Sequence, residues 1–209
     1  MMKLMIVLGT RPEIIRLSEV IKLCSSHCEL VIVHTGQNYD YELNQIFFDD
    51  LGISAPQYFL GCSGQNPCDV IGQIISRSYE IMQEANPDAL LVLGDTNSCL
   101  SAYSAKRLKI PVFHMEAGNR CFDQRVPEEI NRKIVDTLAD VNLPYSQISR
   151  SYLISEGVDP SRIIVTGSPM YEVLHANRAR IEECTILKAL GLERENYLVV
   201  SVHREENVD

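Results

Sequence analysis

Residues 89–93 read Ala-Leu-Leu-Val-Leu, apolar at every position. A strand with one wet face alternates apolar and polar side chains, so a run apolar on both parities belongs to a strand covered on both faces. That is the environment of a parallel sheet sandwiched between helices. Residues 4–8 and 30–33 repeat the pattern, and each run is followed by apolar residues at helical spacing. A chain built this way is confined to an α/β architecture, and its chemistry is expected where those strands end, because ligands of open α/β sheets bind at the carboxyl edge. The run at 89–93 delivers Gly94-Asp95 to that edge. The strand starting at Val112 delivers His114, Met115 and Glu116 before Gly118 turns the chain away.

Taken in order, residues 4–8 pass into Gly9-Thr10-Arg11-Pro12-Glu13. Thr10 and Glu13 have capping-box spacing, and Pro12 falls in a first helical turn whose N–H groups lack intrahelical partners. Ile14, Leu17, Ile21 and Cys24 then share a helix face. The second strand ends at His34-Thr35-Gly36-Gln37, and Leu43, Phe47 and Leu51 mark a helix stopped by Gly52. Residues 54–69 carry Gly61, Gly64 and Pro67 and read as an exposed loop with a short strand near 58–60. Ile71, Ile74, Ile75, Ser78 and Met82 predict a helix ending before Asn86-Pro87-Asp88.

A helix is predicted over 98–108, with Thr96 or Asn97 as its N-cap. Pro127, Glu128 and Glu129 open another, carrying Ile130, Ile134 and Leu138 along one side. A strand at 141–143, a helix over 147–156 closed by Gly157, and a strand at 162–166 complete a doubly wound parallel sheet of at least six strands. Gly167-Ser168-Pro169 marks the domain boundary, dividing the chain into 1–168 and 169–209. The second part has a broken helical stretch from 170 to about 190 and one strand at 197–201 that runs to His203. A lone strand makes no sheet, so residues 169–209 read as the start of a truncated second domain.

The formal net charge is -9. No basic stripe is present to neutralise a phosphate backbone, which excludes a nucleic-acid partner, although a local pair of arginines can hold an anionic metabolite. No apolar run approaches the roughly 20 residues of a membrane span. With no secretory signal ahead of Lys3 and seven cysteines that form no zinc-type cluster, a cytoplasmic protein with reduced thiols is expected. Cys24 and Cys28, four apart on a helix face, read as small hydrophobes in preference to metal ligands.

The turn at 9–13, with Arg11 and Arg16, is a possible phosphate cradle or simply a capped helix with surface arginines. It lacks GxGxxG, so no nicotinamide fingerprint is present. Asp95 is either a turn residue or a functional carboxylate. Glu116 ends an apolar strand, where a carboxylate costs desolvation unless paired or used. Glu128 and Glu129 are helix-start acids or catalytic groups, and His114 orients a neighbour or is a satisfied core histidine. His203, followed by Arg204-Glu205-Glu206, suits proton transfer or an anionic leaving group.

At these residues the chain resembles the non-hydrolysing UDP-N-acetylglucosamine 2-epimerase family, and within it the branch that produces UDP-N-acetyl-L-fucosamine for capsule and O-antigen polysaccharides. The matching stretches are GTRPEIIR, HTGQNYDYELNQIFFDDLG, LGDTNS, PVFHMEAGNRCFDQRVPEEINR, VTGSP and SVHREEN. The resemblance implies a Rossmann-like first domain of a GT-B-type two-domain fold, a homodimer, a UDP-amino-sugar substrate, and neither a cofactor nor a metal. By the family motif Asp95, Glu116, Glu128 and His203 are the expected catalytic residues. Arg11, Arg16, Arg120 and Arg132 are expected to bind substrate, Arg16 replacing a usual lysine. The implied reaction converts UDP-2-acetamido-2,6-dideoxy-β-L-talose to UDP-N-acetyl-β-L-fucosamine through a glycal. The alternatives are UDP-N-acetylglucosamine epimerisation to the manno sugar, or a glycosyltransferase or binding module. Leu93 and Asn119 depart from the commoner branch, which has His and Leu at those positions. The commoner branch also has a regulatory Gln-His pair followed two positions later by another Gln; the corresponding positions here are Gln37, Asn38 and Asp40, so that site is not expected to carry over.

Overall fold

The computed structural model describes residues 1–36 and 41–200. The chain divides into two compact units, Met1–Val173 and Leu174–Asp209. In the first, strand and helix alternate: β1 (Lys3–Leu8), α1 (Arg11–Ser25), β2 (Glu29–His34), α2 (Tyr41–Leu51), β3 (Tyr58–Phe59), α3 (Pro67–Ala85), β4 (Ala89–Leu93), a 3-10 turn (Asn97–Leu100) running into α4 (Ser101–Arg107), β5 (Val112–Met115), α5 (Pro127–Leu138), β6 (Val141–Leu143), α6 (Gln147–Ser155) and the start of α7 (Met170–Ala176). The strands form one parallel six-stranded sheet in the order β3-β2-β1-β4-β5-β6. This is the predicted doubly wound α/β, Rossmann-like class. Its strand order reverses between β1 and β4, so the crevice for a ligand opens where those two strands end.

Both faces of the central strands are buried, as the unbroken apolar runs require. Met5, Val7, Leu90, Val92 and Val112 pack with Ile74, Met82, Ala102, Ala105 and Val135 on one face. Leu4, Ile6, Leu8, Leu91 and Leu93 pack with Ile14, Leu17, Ile21 and Phe48 on the other. Cys24 and Cys28 pack at the margin of this second cluster as free thiols.

Three expectations need correction. The predicted loop over 54–69 ends early, because Asn66 caps α3 by accepting a hydrogen bond from Asp69 N at 3.0 Å, and Pro67 fits the first helical turn. Residues 162–166 form no strand. Pro160–Arg162 is a 3-10 turn, and the following residues run beside β6 through one bridge, Asn142 to Ile163. Ile164 and Thr166 donate to Asn142 O (2.9 Å) and Pro144 O (3.1 Å), but Pro144 has no N–H to return, so the ladder stops. The second unit holds α8 (Arg178–Glu182) and α9 (Ile186–Ala189). The strand predicted over 197–201 is absent from its described residues, and Leu198, Val199 and Val200 are exposed. Among the described residues of this unit no second strand exists to pair with them.

Candidate active site

Two strand-to-helix turns meet at the switch point. The turn after β1 is held by Glu13, which is almost fully buried. One oxygen of its carboxylate accepts hydrogen bonds from Gly9 N (3.0 Å), Thr10 N (2.8 Å) and the Thr10 hydroxyl (2.8 Å), and the other accepts from the Ser98 hydroxyl. Burial raises the Glu13 pKa although Ser98, Thr10 and Gly9 all favour the ionised form. The capping residue therefore also ties the first turn to the one after β4. Gly9 is required here because a Cβ would come within 2.1 Å of the Thr35 hydroxyl oxygen.

Glu116 stands one residue past β5 with φ of +62°, a left-handed conformation rare for a residue with a Cβ. Its N–H donates to Leu143 O at 3.1 Å, which fixes the backbone. A strained residue of this kind costs about 1–3 kcal/mol and is kept where neighbours over-determine it. The neighbours here are charged. The Arg16 guanidinium donates to Glu116 Oε2, Arg132 Nη2 lies 3.5 Å from Glu116 Oε1 and donates to Asp95 Oδ2, and Asn119 Nδ2 lies 3.3 Å from Glu116 Oε1. Arg132 is 6% exposed and thus forms a buried bridge between the two carboxylates.

Arg132 comes from α5, whose inward side reverses the usual amphipathic rule. Glu129, Asn131, Arg132, Val135 and Asp136 are buried, whereas Ile130 and Ile134 are 48% and 43% exposed. Asn131 Nδ2 donates to Asp95 O (2.9 Å) and accompanies Arg132 in fixing the β4 turn. Glu129 accepts from Cys121 N at 3.0 Å and holds the loop before α5. Its burial raises the pKa, but Cys121 and Lys133 outweigh that effect, and the net direction is down.

Below the carboxylates lies a second buried pairing. His114 Nε2 is 2.7 Å from Gly94 O and Nδ1 is 2.9 Å from Asp136 Oδ1. Asp136 also accepts from Gly118 N (3.2 Å) and from Arg120 Nη2 (2.7 Å). The group links the peptide before Asp95 to the turn after Glu116. Burial raises the Asp136 pKa, yet the His114 and Arg120 interactions overcome it and hold the carboxyl below its ordinary value.

The expected residues therefore divide. Asp95, Glu116, Arg16 and Arg132 converge in one cluster. Glu128 is half-buried in the first turn of α5, four residues before Arg132 and so on the same helix side. Arg11 is exposed at the first residue of α1. Arg120 is committed to scaffold partners: Asp136, Glu156 and the Asn119 carbonyl, the last at 2.8 Å. His114 is a core histidine whose Nε2 meets the Gly94 carbonyl and whose Nδ1 faces Asp136, so it positions a turn. His203 lies outside the described residues. Asn131 and Asp136 were not singled out from sequence, and Glu13 was read there only as part of a helix cap. Among the described residues no group of three or more His, Cys, Asp or Glu is placed to hold a metal, and no helix is long and apolar enough to cross a membrane.

Comparison with known proteins places these features in a family. The model of the family described as UDP-N-acetylglucosamine 2-epimerase matches residues 22–209. A UDP-N-acetylglucosamine 2-epimerase homolog of Methanococcus maripaludis is 37% identical, over all of this chain and 59% of its own length. The solved structure of a UDP-N-acetylglucosamine 2-epimerase from Rickettsia bellii is 52% identical with a TM-score of 0.93, over 99% of this chain and 56% of its own. A Methanocaldococcus jannaschii enzyme solved in complex with UDP-GlcNAc and UDP is 34% identical with a TM-score of 0.85, over 90% of this chain and 53% of its own. The chain thus spans a little over half the length of these relatives.

Proposed function

The chain belongs to the UDP-N-acetylglucosamine 2-epimerase family, and on that premise we propose that the protein containing it epimerises a UDP-2-acetamido sugar at C2. The observation that carries the proposal is the Asp95–Arg132–Glu116 bridge, flanked by Arg16, at the carboxyl edge of the sheet. Inverting a stereocentre without oxidation needs groups that remove a proton from one face of C2 and return one to the other, together with charge stabilisation for the leaving UDP. One carboxylate takes the C2 proton as the C1–O bond breaks, and the electron pair of the C–H bond becomes the ring double bond of a 2-acetamidoglucal. UDP then adds back at C1 while an acid delivers a proton to the opposite face of C2. Asp95, Glu116 and Glu128 supply the carboxyl groups, and His203 assists at the leaving oxygen.

The arginines give the cluster a way to arm itself. Arg16 is partly exposed and is shared with Glu116. An incoming diphosphate, a multidentate anion, competes for that guanidinium and draws it from Glu116, which is left as the base beside C2.

The substrate of first choice is UDP-N-acetylglucosamine, the sugar nucleotide named for the relatives. Leu93 and Asn119, at positions where the commoner branch has His and Leu, agree with the 6-deoxy-sugar branch and support a second reading with UDP-2-acetamido-2,6-dideoxy-β-L-talose; Asn119 lies against Glu116, where such a change would be felt. Incubation with each nucleotide sugar in deuterated water, followed by proton NMR, separates the readings. Deuterium incorporation at C2 with conversion to the manno epimer supports the first choice, and exchange confined to the talo compound selects the second. Release of UDP in proportion to an added acceptor, with no exchange at C2, would identify a transferase instead.

A further inference from the structure

Tyr145 stands at the same sheet edge as Glu116. Met115 and Leu143 are paired in the register of β5 and β6, and Glu116 N donates to Leu143 O, so the chain two residues past Leu143 runs beside the Glu116 turn. Among the described residues the Tyr145 hydroxyl is shielded from solvent and has no hydrogen-bond partner. Leaving a buried donor unmade costs about 1–3 kcal/mol, a cost that a nearby oxygen, water or ligand removes. Neighbouring side chains do not remove it here, although several are charged and close enough to act on it. Burial and then the Glu116 charge push the phenol well above its ordinary value, with Arg16 and Arg132 opposing. The group therefore stays protonated and can donate.

We propose that Tyr145 is a further substrate-binding residue, its phenol held as a neutral hydrogen-bond donor for an acceptor oxygen of the nucleotide sugar bound beside Glu116. The inference rests on the epimerase reading for the identity of the ligand, and the chemistry around it explains its use. Asp95 and Glu116 are acceptors when ionised, while Arg16 and Arg132 are cations already shared with those carboxylates. A sugar nucleotide is rich in acceptors, including ring hydroxyls, the acetamide carbonyl and phosphate oxygens. An uncharged donor can fix one of them without altering the charge balance on which proton removal from C2 depends. Nothing in the spacing of Leu143-Pro144-Tyr145-Ser146 announces this role, since a tyrosine after a short strand ordinarily fills space.

The test compares the protein with its Tyr145→Phe variant in three measurements: UDP-N-acetylglucosamine affinity by calorimetry, KM and kcat for C2 exchange, and thermal midpoint. The expected result is a loss of about tenfold in affinity, seen as a raised KM, with a thermal midpoint unchanged or raised because the variant removes an unsatisfied hydroxyl. Equal affinity and equal KM in the two proteins would overturn the proposal. So would a lowered thermal midpoint with unchanged kinetics, which would assign the hydroxyl to a buried water. If the unaltered protein binds the nucleotide sugar but catalyses no exchange, the epimerase reading fails while the affinity comparison still decides the role of Tyr145. No binding by the unaltered protein overturns both.

Discussion

Replacing Asp136 with Asn probes the pairing beneath the carboxylates. In the native protein Asp136 is 2% exposed, lies 2.9 Å from His114 Nδ1, and accepts from Arg120 Nη2 at 2.7 Å and Gly118 N at 3.2 Å. Asn keeps one acceptor oxygen but removes the charge and puts an NH2 group against a donor. Breaking a buried pair from one side costs about 3–5 kcal/mol, and the isosteric replacement belongs at the lower end of that range. At roughly 2–4 °C per kcal/mol for a domain of this size, the thermal midpoint should fall by about 6–12 °C. The sign with pH follows from the depressed Asp136 value. Its contribution is complete above the unfolded carboxylate pKa, about 3.9, and is lost as pH falls through the lower folded value. Urea midpoints measured across pH should therefore show a constant gap between the two proteins above about pH 5, closing below about pH 4. A variant as stable as the native protein at pH 7, or a gap that persists unchanged at low pH, would refute the reasoning.

Other substitutions test neighbouring parts of the scaffold. Gly118→Ala should cost more than about 1 kcal/mol in urea unfolding, because its φ is +75° and a Cβ would lie 2.4 Å from Ser149 O. An alanine variant with native stability would contradict that geometry. Glu13→Ala should lose about 1–2 kcal/mol through the missing cap, whereas Glu13→Gln, which retains an acceptor and sheds a charge that burial disfavours, should be near neutral at pH 7. Because the folded Glu13 value is raised, folding takes up protons there, and stability from this group increases as pH falls through that value toward the ordinary carboxylate value. The Gln variant should lose this dependence, as stability curves over pH 4–7 would register.

Much of the sheet was legible because strands buried on both faces leave unbroken apolar runs, and residues 4–8, 30–33 and 89–93 were of that kind. The turn chemistry was equally open, since Thr10 with Glu13 and Asn86 after α3 carry local signals. Helix α5 was the misleading element. Its isoleucines suggested a face for the core, but the sheet edge it covers is an ionic site, so the polar side turned inward and Ile130 and Ile134 turned out. Periodicity reports that a helix has two unlike faces and says nothing about which one the protein needs. The strand expected at 162–166 failed for a different reason, the lack of a partner able to complete a ladder, and among the described residues, 197–200 likewise have no strand to pair with. Asp95 and Glu116 were visible as acids after apolar strands. Asp136 was not, because its partners His114, Arg120 and Gly118 lie 16 to 22 residues away in sequence.

The account rests on Glu116 acting in proton transfer at C2. Its most direct test is the rate at which deuterium from solvent enters C2 of UDP-N-acetylglucosamine in the Glu116→Gln variant, with nucleotide-sugar affinity and thermal midpoint measured on the same preparation. Loss of a positioned acid or base should slow exchange by about 10²–10⁴-fold while the variant stays folded and continues to bind. Exchange at the native rate in a folded, binding-competent variant would contradict the account.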